Sequence, residues 1–552
     1  MIDLYNVDND TLESIKRAPE VTIPKLYGWN YEVCPDHPLQ ENGMLHPISS
    51  FCSECGIPEL REHQRKGIAW LYLRGKGVLA DSVGTGKTIH ALGLLALMRQ
   101  RGELNVSNRA IIVVKPQALG QWEKMVRKCV PNIQTVVLVG GNPSWRHRVI
   151  ASGWELALVS YATMLRDKDI LSRVPCGIVM YDDVDPIRNT VSKTHRAARQ
   201  IAKNVGRVII MHGTPLQKRL LDVYAQFSVL GIAGPVFGTQ KAFDDRYVRR
   251  QLQYVWRKDK NGRAAKRVES NIVGYKNVDE FKEKIEPFAL RRTDADIHDV
   301  NLPSIQPNPV YLELYPRQRE RYEELRAGVL RILTEEGEET SRITAMGKVH
   351  AGARICVGLE AVDGEEVIDL NEPETSCKLD WLSEQIEEGG AFDSTDKVVV
   401  FGKHISTIQA LQRRLTDKRV GHVTVWGRGG VSKDEREATI GQFWKDPNTR
   451  FLLGTASIEQ SLNLQVARHI VCLDTILNPA RMEQLVGRIR RDGSPFETVH
   501  VHYIWTVDTQ ESGYERMLSE EQAIIDYVWD EETQLFDRLP PTRLLQLIAG
   551  EG

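Results

Sequence analysis

The stretch GVLADSVGTGKTIHALGLLALM, residues 77–98, decides the fold. It opens on an apolar β-rich run and closes on a segment with helical periodicity, so the intervening turn joins the end of a buried strand to the start of a helix. Glycines at 84 and 86 let the backbone turn so that its N–H groups, Thr85 included, face inward and cradle an anion. The helix N-terminus adds a positive dipole end. Lys87 is placed to reach the β- and γ-phosphates of a nucleoside triphosphate, and the Thr88 hydroxyl to ligate Mg²⁺. Asp81 stands where the full G-x-x-x-x-G-K-T pattern has its first glycine.

Outward from this loop, short apolar runs alternate with helical stretches. AIIVV (110–114), TVVLV (135–139), LALVS (156–160), GIVMY (177–181) and RVIIM (207–211) read as strands of a parallel sheet covered on both faces. GIVMY runs into Asp182-Asp183-Val184-Asp185. A carboxylate at the end of a second buried strand is the expected partner for the metal: Asp182 would share Mg²⁺ with Thr88, and Asp183 would position the attacking water. Residues 231–307 are rich in charge and aromatics and read as an insertion or bridge; 310–370 look mainly helical. A second alternation follows, through VVVF (398–401), HVTVW (422–426), RFLLG (450–454), HIVCL (469–473) and VHVHY (499–503).

Composition sets the class. The chain has 552 residues, 72 Lys+Arg against 74 Asp+Glu, and 41% hydrophobic residues, which excludes a wholly disordered or fibrous protein. No apolar run is long enough for a membrane span, and the acidic start MIDLYNVDNDTLES lacks the layout of a secretory signal. Eight scattered cysteines make no disulfide framework, so the expectation is an intracellular protein without membrane contact.

Two local patterns carry further chemistry. Arg246, Arg249, Arg250, Arg257, Lys258, Lys260, Arg263, Lys266 and Arg267 face a single acid, Asp259, with Tyr247, Tyr254 and Trp256 interleaved. A basic, aromatic-laced segment of this kind reads as a surface that tracks a nucleic-acid backbone, with Arg257, Lys258 and Lys260 as its candidate contacts. Near the N-terminus, Cys34-x-x-His37 and Cys52-x-x-Cys55 form two short-spaced pairs that can surround one structural Zn²⁺. His46 is an alternative to His37.

The ordered motifs resemble those of superfamily 2 helicases and, within them, Swi/Snf-type DNA translocases. The resemblance runs from about Leu60 to Glu511. It rests on LREHQ (60–64), LADSVGTGKT (79–88), VVKPQALGQWEKM (113–125), LVSYATM (158–164), DDVD (182–185), HGTPLQ (212–217) and EPFALRRT (286–293). In the second half it rests on SCKL (376–379), KVVVFGKH (397–404), GTASIEQSLNLQVA (454–467) and LNPARMEQLVGRIRRDG (477–493). It implies Gln64 as the adenine contact, Gln484 as a further nucleotide contact, and Lys115 and Thr455 as nucleic-acid contacts. It also implies Arg488 and Arg491 as the arginines that stabilise charge on the γ-phosphoryl group, a task their planar fork suits.

The fold this implies is α/β, with two RecA-like parallel-sheet lobes. Its expected divisions are an N-terminal module (1–58), a first lobe (59–232), an inserted helical and basic region (233–370), a second lobe (371–518) and a helical tail (519–552). The function implied is an ATP- and Mg²⁺-dependent motor tracking along double-stranded DNA, with the N-terminal module open to a protein partner. A strand-separating helicase on branched DNA or RNA and an ATP-gated nucleic-acid scaffold are the rival readings. Two departures bear on this. Asp183 stands where the family has Glu, one C–C bond longer (about 1.5 Å), so Asp183→Glu is expected to raise turnover or leave it unchanged. Gln460 and Ser461 stand where glycines are usual.

Overall fold

A computed structural model of the chain describes residues 60–512, apart from 141, 214–219, 259–263, 293–295, 298–300, 336–341, 359–369, 371, 373, 388, 393, 427–432, 457, 459–461, 477–478 and 492. The four candidate zinc ligands, Lys260, Gln460 and Ser461 lie outside the described residues, as does the tail from 513. The chain divides into two compact units, residues 1–249 with 274–301 and residues 250–273 with 302–552.

The first unit is built on seven strands: β1 (Lys76–Leu79), β2 (Arg109–Val114), β3 (Thr135–Leu138), β4 (Leu156–Ser160), β5 (Cys176–Asp182), β6 (Arg207–Met211) and β9 (Ala289–Leu290). They lie in the order β3-β4-β2-β5-β6-β1-β9, every pair parallel. Helices such as Lys87–Gln100, Leu119–Cys129 and Lys193–Ala202 connect them. The Val/Ile/Leu-rich strands are buried along almost their whole length, as a sheet covered on both faces requires. Ile112, Val114, Leu158, Met180 and Ile209 pack with Leu92, Leu95 and Trp122 of the covering helices.

β9 is only two residues long, and no apolar run announces it. It pairs with β1 at Val78↔Ala289 and Leu79↔Leu290. The ladder then continues into the phosphate loop, where Ala80 N–H donates to the Leu290 carbonyl (2.8 Å) and Ser82 N–H to that of Arg292 (3.0 Å). The helices before and after the insertion, Gln240–Tyr247 and Val278–Ile285, bring Phe243, Tyr247 and Phe281 against Phe237, with ring centroids 5.1–5.9 Å from it. This cluster accounts for the aromatic richness of the region. Between them, β7 (Val248–Lys258) and β8 (Ala264–Tyr275) form a separate two-stranded sheet. Arg257 and Lys258 fall in β7. Arg246, counted with the basic run, bonds Glu280.

The second unit carries the order β10-β15-β14-β11-β13-β12, all parallel. Its strands are β10 (Ser304–Leu312), β11 (Lys397–Phe401), β12 (His422–Val425), β13 (Phe451–Gly454), β14 (Ala467–Cys472) and β15 (Thr498–Thr506). β10 is an edge strand with mostly exposed residues. Ser304 N–H donates to the Glu497 carbonyl and Val507 N–H to that of Leu312, so even-numbered residues bond β15 and odd-numbered ones face the open edge. Pro307 and Pro309 are both odd, and they remove two donors from that edge. Among the described residues no helix is long and apolar enough to cross a membrane.

Candidate nucleotide site

The site in the first unit is made where β1, β2, β5 and β6 end. After β1 the chain passes through Gly84 (φ 95°) and Gly86 (φ 86°), both in the left-handed region that a Cβ disfavours, and enters the helix Lys87–Gln100. The Lys87 ammonium folds back into this turn. Its Nζ donates to the carbonyl oxygens of Asp81 (2.5 Å) and Ser82 (2.9 Å). Thr85 donates its hydroxyl to the Ser82 carbonyl, and Thr88 is half-buried in the first helical turn. Gln64 lies alongside: its side-chain oxygen accepts from Arg61 N–H, and its amide nitrogen is 3.1 Å from where a Cβ on Gly86 would fall.

Asp182 and Asp183 close β5. The Trp122 indole donates to Asp182 Oδ2 (2.8 Å), and the Tyr161 hydroxyl to the Asp182 carbonyl (3.2 Å). Burial and the neighbouring Asp183 push the Asp182 carboxyl up, while Lys87 pulls it down. Asp183 sits at φ 56°, a left-handed conformation that Asp tolerates better than most residues. Lys115, from the end of β2, places its Nζ 2.6 Å from Asp183 Oδ2 and 2.7 Å from Asp185 Oδ2. His212, after β6, is 3.2 Å from Asp183 Oδ1 through Nε2. Burial opposes the Asp183 charge, but His212 and Lys115 outweigh it and hold the carboxyl well below the usual carboxylate range. A carboxylate only accepts, so His212 Nε2 carries the proton in this bond. Burial likewise opposes the Lys115 charge, and Asp183 and Asp185 hold it above its ordinary value. Gly213 completes the junction: a Cβ there would meet Val83 at 2.6 Å and Lys87 Nζ at 3.6 Å.

The first unit therefore gathers Gln64, Gly84, Thr85, Gly86, Lys87, Thr88, Lys115, Asp182 and Asp183 around one turn. The sequence alone did not single out Trp122, Tyr161 or His212 as site residues, although each lies in a quoted motif, VVKPQALGQWEKM, LVSYATM and HGTPLQ.

The second unit carries the remaining predicted residues. Thr455 is buried directly after β13, and Gln484 lies half-buried in the helix Pro479–Val486. Arg488 and Arg491 follow that helix. The Arg488 carbonyl accepts from Leu464 N–H (2.9 Å), tying the two second-unit motifs together, and Arg491 Nε donates to the Gly487 carbonyl (2.9 Å). Burial and the like charge of Arg488 push the Arg491 guanidinium below its ordinary value.

Residues 63–357 match the SNF2-related domain model, and 377–493 the helicase conserved C-terminal domain. The chain is 24% identical over 580 residues to the DNA repair and recombination protein RAD54B of Gallus gallus, covering 93% of this chain and 61% of that protein. It is 24% identical over 514 residues to the human SWI/SNF-related matrix-associated actin-dependent regulator of chromatin subfamily A member 1, covering 89% and 46%. The chain thus spans about half the length of such relatives. It is similar to a solved Sulfolobus solfataricus SWI2/SNF2 ATPase core in complex with dsDNA, with 21% identity, 89% and 97% coverage and a TM-score of 0.39. The first family match takes in the phosphate loop, the acidic strand end and Arg292, and the second takes in the paired arginines; the chain belongs to the SNF2-related family and carries its helicase C-terminal domain.

Proposed function

We propose that the chain is an ATP-hydrolysing motor that moves along double-stranded DNA. The observation that carries the reading is the turn in which Lys87 donates to the carbonyls of Asp81 and Ser82 within electrostatic reach of the Asp182 carboxylate. Incoming phosphate oxygens would draw the ammonium off those carbonyls and take the loop N–H groups in their place. The Thr88 hydroxyl and the Asp182 carboxylate are hard oxygen donors of the kind Mg²⁺ takes, and these two would hold it. When bound, the ion neutralises charge on the β- and γ-phosphates.

Asp183, kept ionised by Lys115 and His212, orients the attacking water by accepting its hydrogen bond. It is too weak a base to remove the proton outright, and the loose transition state of phosphoryl transfer asks for little base. Arg488 and Arg491 take the role their motif implies, stabilising charge on the γ-phosphoryl oxygens, for which the planar guanidinium fork is suited. Gln64 and Gln484 complete the nucleotide contacts.

Family membership and the basic run 246–267 support duplex DNA as the track, with Thr455, Arg257, Lys258 and Lys260 as contacts. Lys115 is assigned to the acidic pair rather than to DNA, because its ammonium is already held by two carboxylates. The pairs at 34/37 and 52/55 are proposed to hold one Zn²⁺, a claim that metal analysis of the purified chain decides. The reading is tested by steady-state ATP hydrolysis without nucleic acid and with duplex DNA, single-stranded DNA or RNA, each beside a Lys87→Ala control. Greatest stimulation by duplex supports it. Stimulation by single strands or RNA favours strand separation, and turnover equal to the control makes the chain an ATP-gated clamp.

A further inference from the structure

Behind the phosphate loop, on the side away from the carboxylates of Asp182 and Asp183, lies a second charged group that the mechanism above does not use. Asp81 is fully buried, and Arg292 grips it with two parallel bonds, Nε to Oδ1 (3.0 Å) and Nη2 to Oδ2 (2.5 Å). The third guanidinium nitrogen, Nη1, donates to the His63 carbonyl (2.7 Å). The His63 ring in turn reaches the Thr85 carbonyl through Nε2 (3.0 Å). His90 Nδ1 lies 3.2 Å from the Gly86 carbonyl, and its Nε2 lies 3.4 Å from Arg292 Nη2. The guanidinium can only donate, so Nε2 accepts and Nδ1 carries the proton to Gly86. Space for this group comes from Gly67, where a Cβ would fall 2.4 Å from the His90 ring and 2.9 Å from Arg292 Nη2.

Every link ends on the phosphate loop. Asp81 opens the loop, Thr85 and Gly86 form its turn, and Ser82 N–H bonds the backbone of Arg292 itself. The loop's N–H groups can converge on phosphate only if these carbonyls point the other way. The contacts from His63 and His90 hold two of them there. We propose that Arg292 is a positioning residue for nucleotide binding, fixing the phosphate loop in its anion-binding shape through Asp81, His63 and His90. Its planar fork serves three acceptors at once; a lysine would supply one point charge and leave Asp81 half-satisfied. The inference rests on the loop being the ATP site and adds a residue 211 positions further along the chain than Asp81.

Two variants test it, both in the full-length chain. Arg292→Lys keeps the charge and loses the fork. The double variant Asp81→Asn with Arg292→Gln removes both charges and leaves no uncompensated ion, which guards against simple unfolding. KM and kcat for ATP are measured with the melting midpoint, with and without ATP. We expect KM to rise about tenfold in each, kcat to stay within about threefold, and the ATP-induced rise in melting midpoint to shrink. A merely structural clamp would lower the ATP-free midpoint but leave KM and the ATP-induced rise at their wild-type values; that result would overturn the proposal. A wild-type chain that binds ATP no better than Lys87→Ala would remove the nucleotide site and this inference together, and that control tells the two failures apart.

Discussion

The two units treat their site charges in opposite ways. In the first, each described charge has an internal counterpart: Lys87 on loop carbonyls, Lys115 on Asp183 and Asp185, Arg292 on Asp81. In the second, burial and then the like charge of Arg488 push the Arg491 guanidinium below its ordinary value. A site satisfied from within is rigid and ready before its ligand arrives. Two neighbouring guanidinium groups repel each other, and an added anion would ease that repulsion. The first arrangement fits a loop that is set before an anion arrives, and the second fits the charge-stabilising role proposed for Arg488 and Arg491.

The contrast breaks most sharply at Arg491. Arg491→Ala should lower kcat by on the order of a thousandfold with little change in KM, as removal of a phosphoryl-stabilising arginine does. At the same time it should raise the nucleotide-free stability of the second unit by about 0.5–1 kcal/mol by relieving like-charge repulsion. A loss of nucleotide-free stability would mean that the arginine pair is already neutralised, and the comparison would fail.

Acid should separate the units next. His469 on β14 and His502 on β15 share a bond (Nδ1 to Nε2, 3.1 Å) inside the second unit, and burial holds them down to about 4 and about 3. The first unit has the equally lowered His90. Because folded values lie below the unfolded value of about 6.5, the unfolded chain takes up protons first as pH falls. Stability is complete above that value, lost as pH drops through it, and level again near the folded values. At pH 5 each histidine should cost on the order of 2 kcal/mol, so urea unfolding should show the second unit losing more than the first. Equal losses would show that the pair shares one proton-linked transition.

At Asp183 the geometry favours a different outcome from the sequence-based expectation, which the Asp183→Glu variant itself decides. A longer carboxylate looked like a restoration of the family residue. The position is left-handed, and Lys115 and His212 already close on both oxygens. Glu would bring about 1 kcal/mol of backbone strain and a displaced carboxylate. Asp183→Glu should therefore reduce ATP turnover about fivefold; any increase would show that loop and partners reshape together. The smallest effect concerns binding. Neutralising Arg257, Lys258 and Lys260 together should flatten the slope of log affinity for duplex DNA against log salt by roughly two to three, and an unchanged slope would move the track elsewhere.

Much of this was legible because buried parallel strands are long apolar runs and a phosphate loop needs its glycines. Leu156–Ser160 and Arg207–Met211 have the boundaries that their apolar runs predict. What escaped reading lacked such a signature. Ala289–Leu290 is too short to show a period, and Pro307 and Pro309 argue against a strand until their outward register is known. Arg292 was visible only as part of EPFALRRT, since nothing local records that its partner is Asp81. His212 acts through residues 27 and 29 positions earlier, a distance set by the sheet order rather than by any spacing in the sequence.

The late arrival of β9 has a consequence for how the protein is made. The phosphate loop is synthesised well before its strap, since Arg292 lies 211 positions further along the chain than Asp81. During that interval β1 lacks its β9 neighbour and Asp81 lacks Arg292. Because long-range contacts close last, the loop gains this support only when the β9 segment docks.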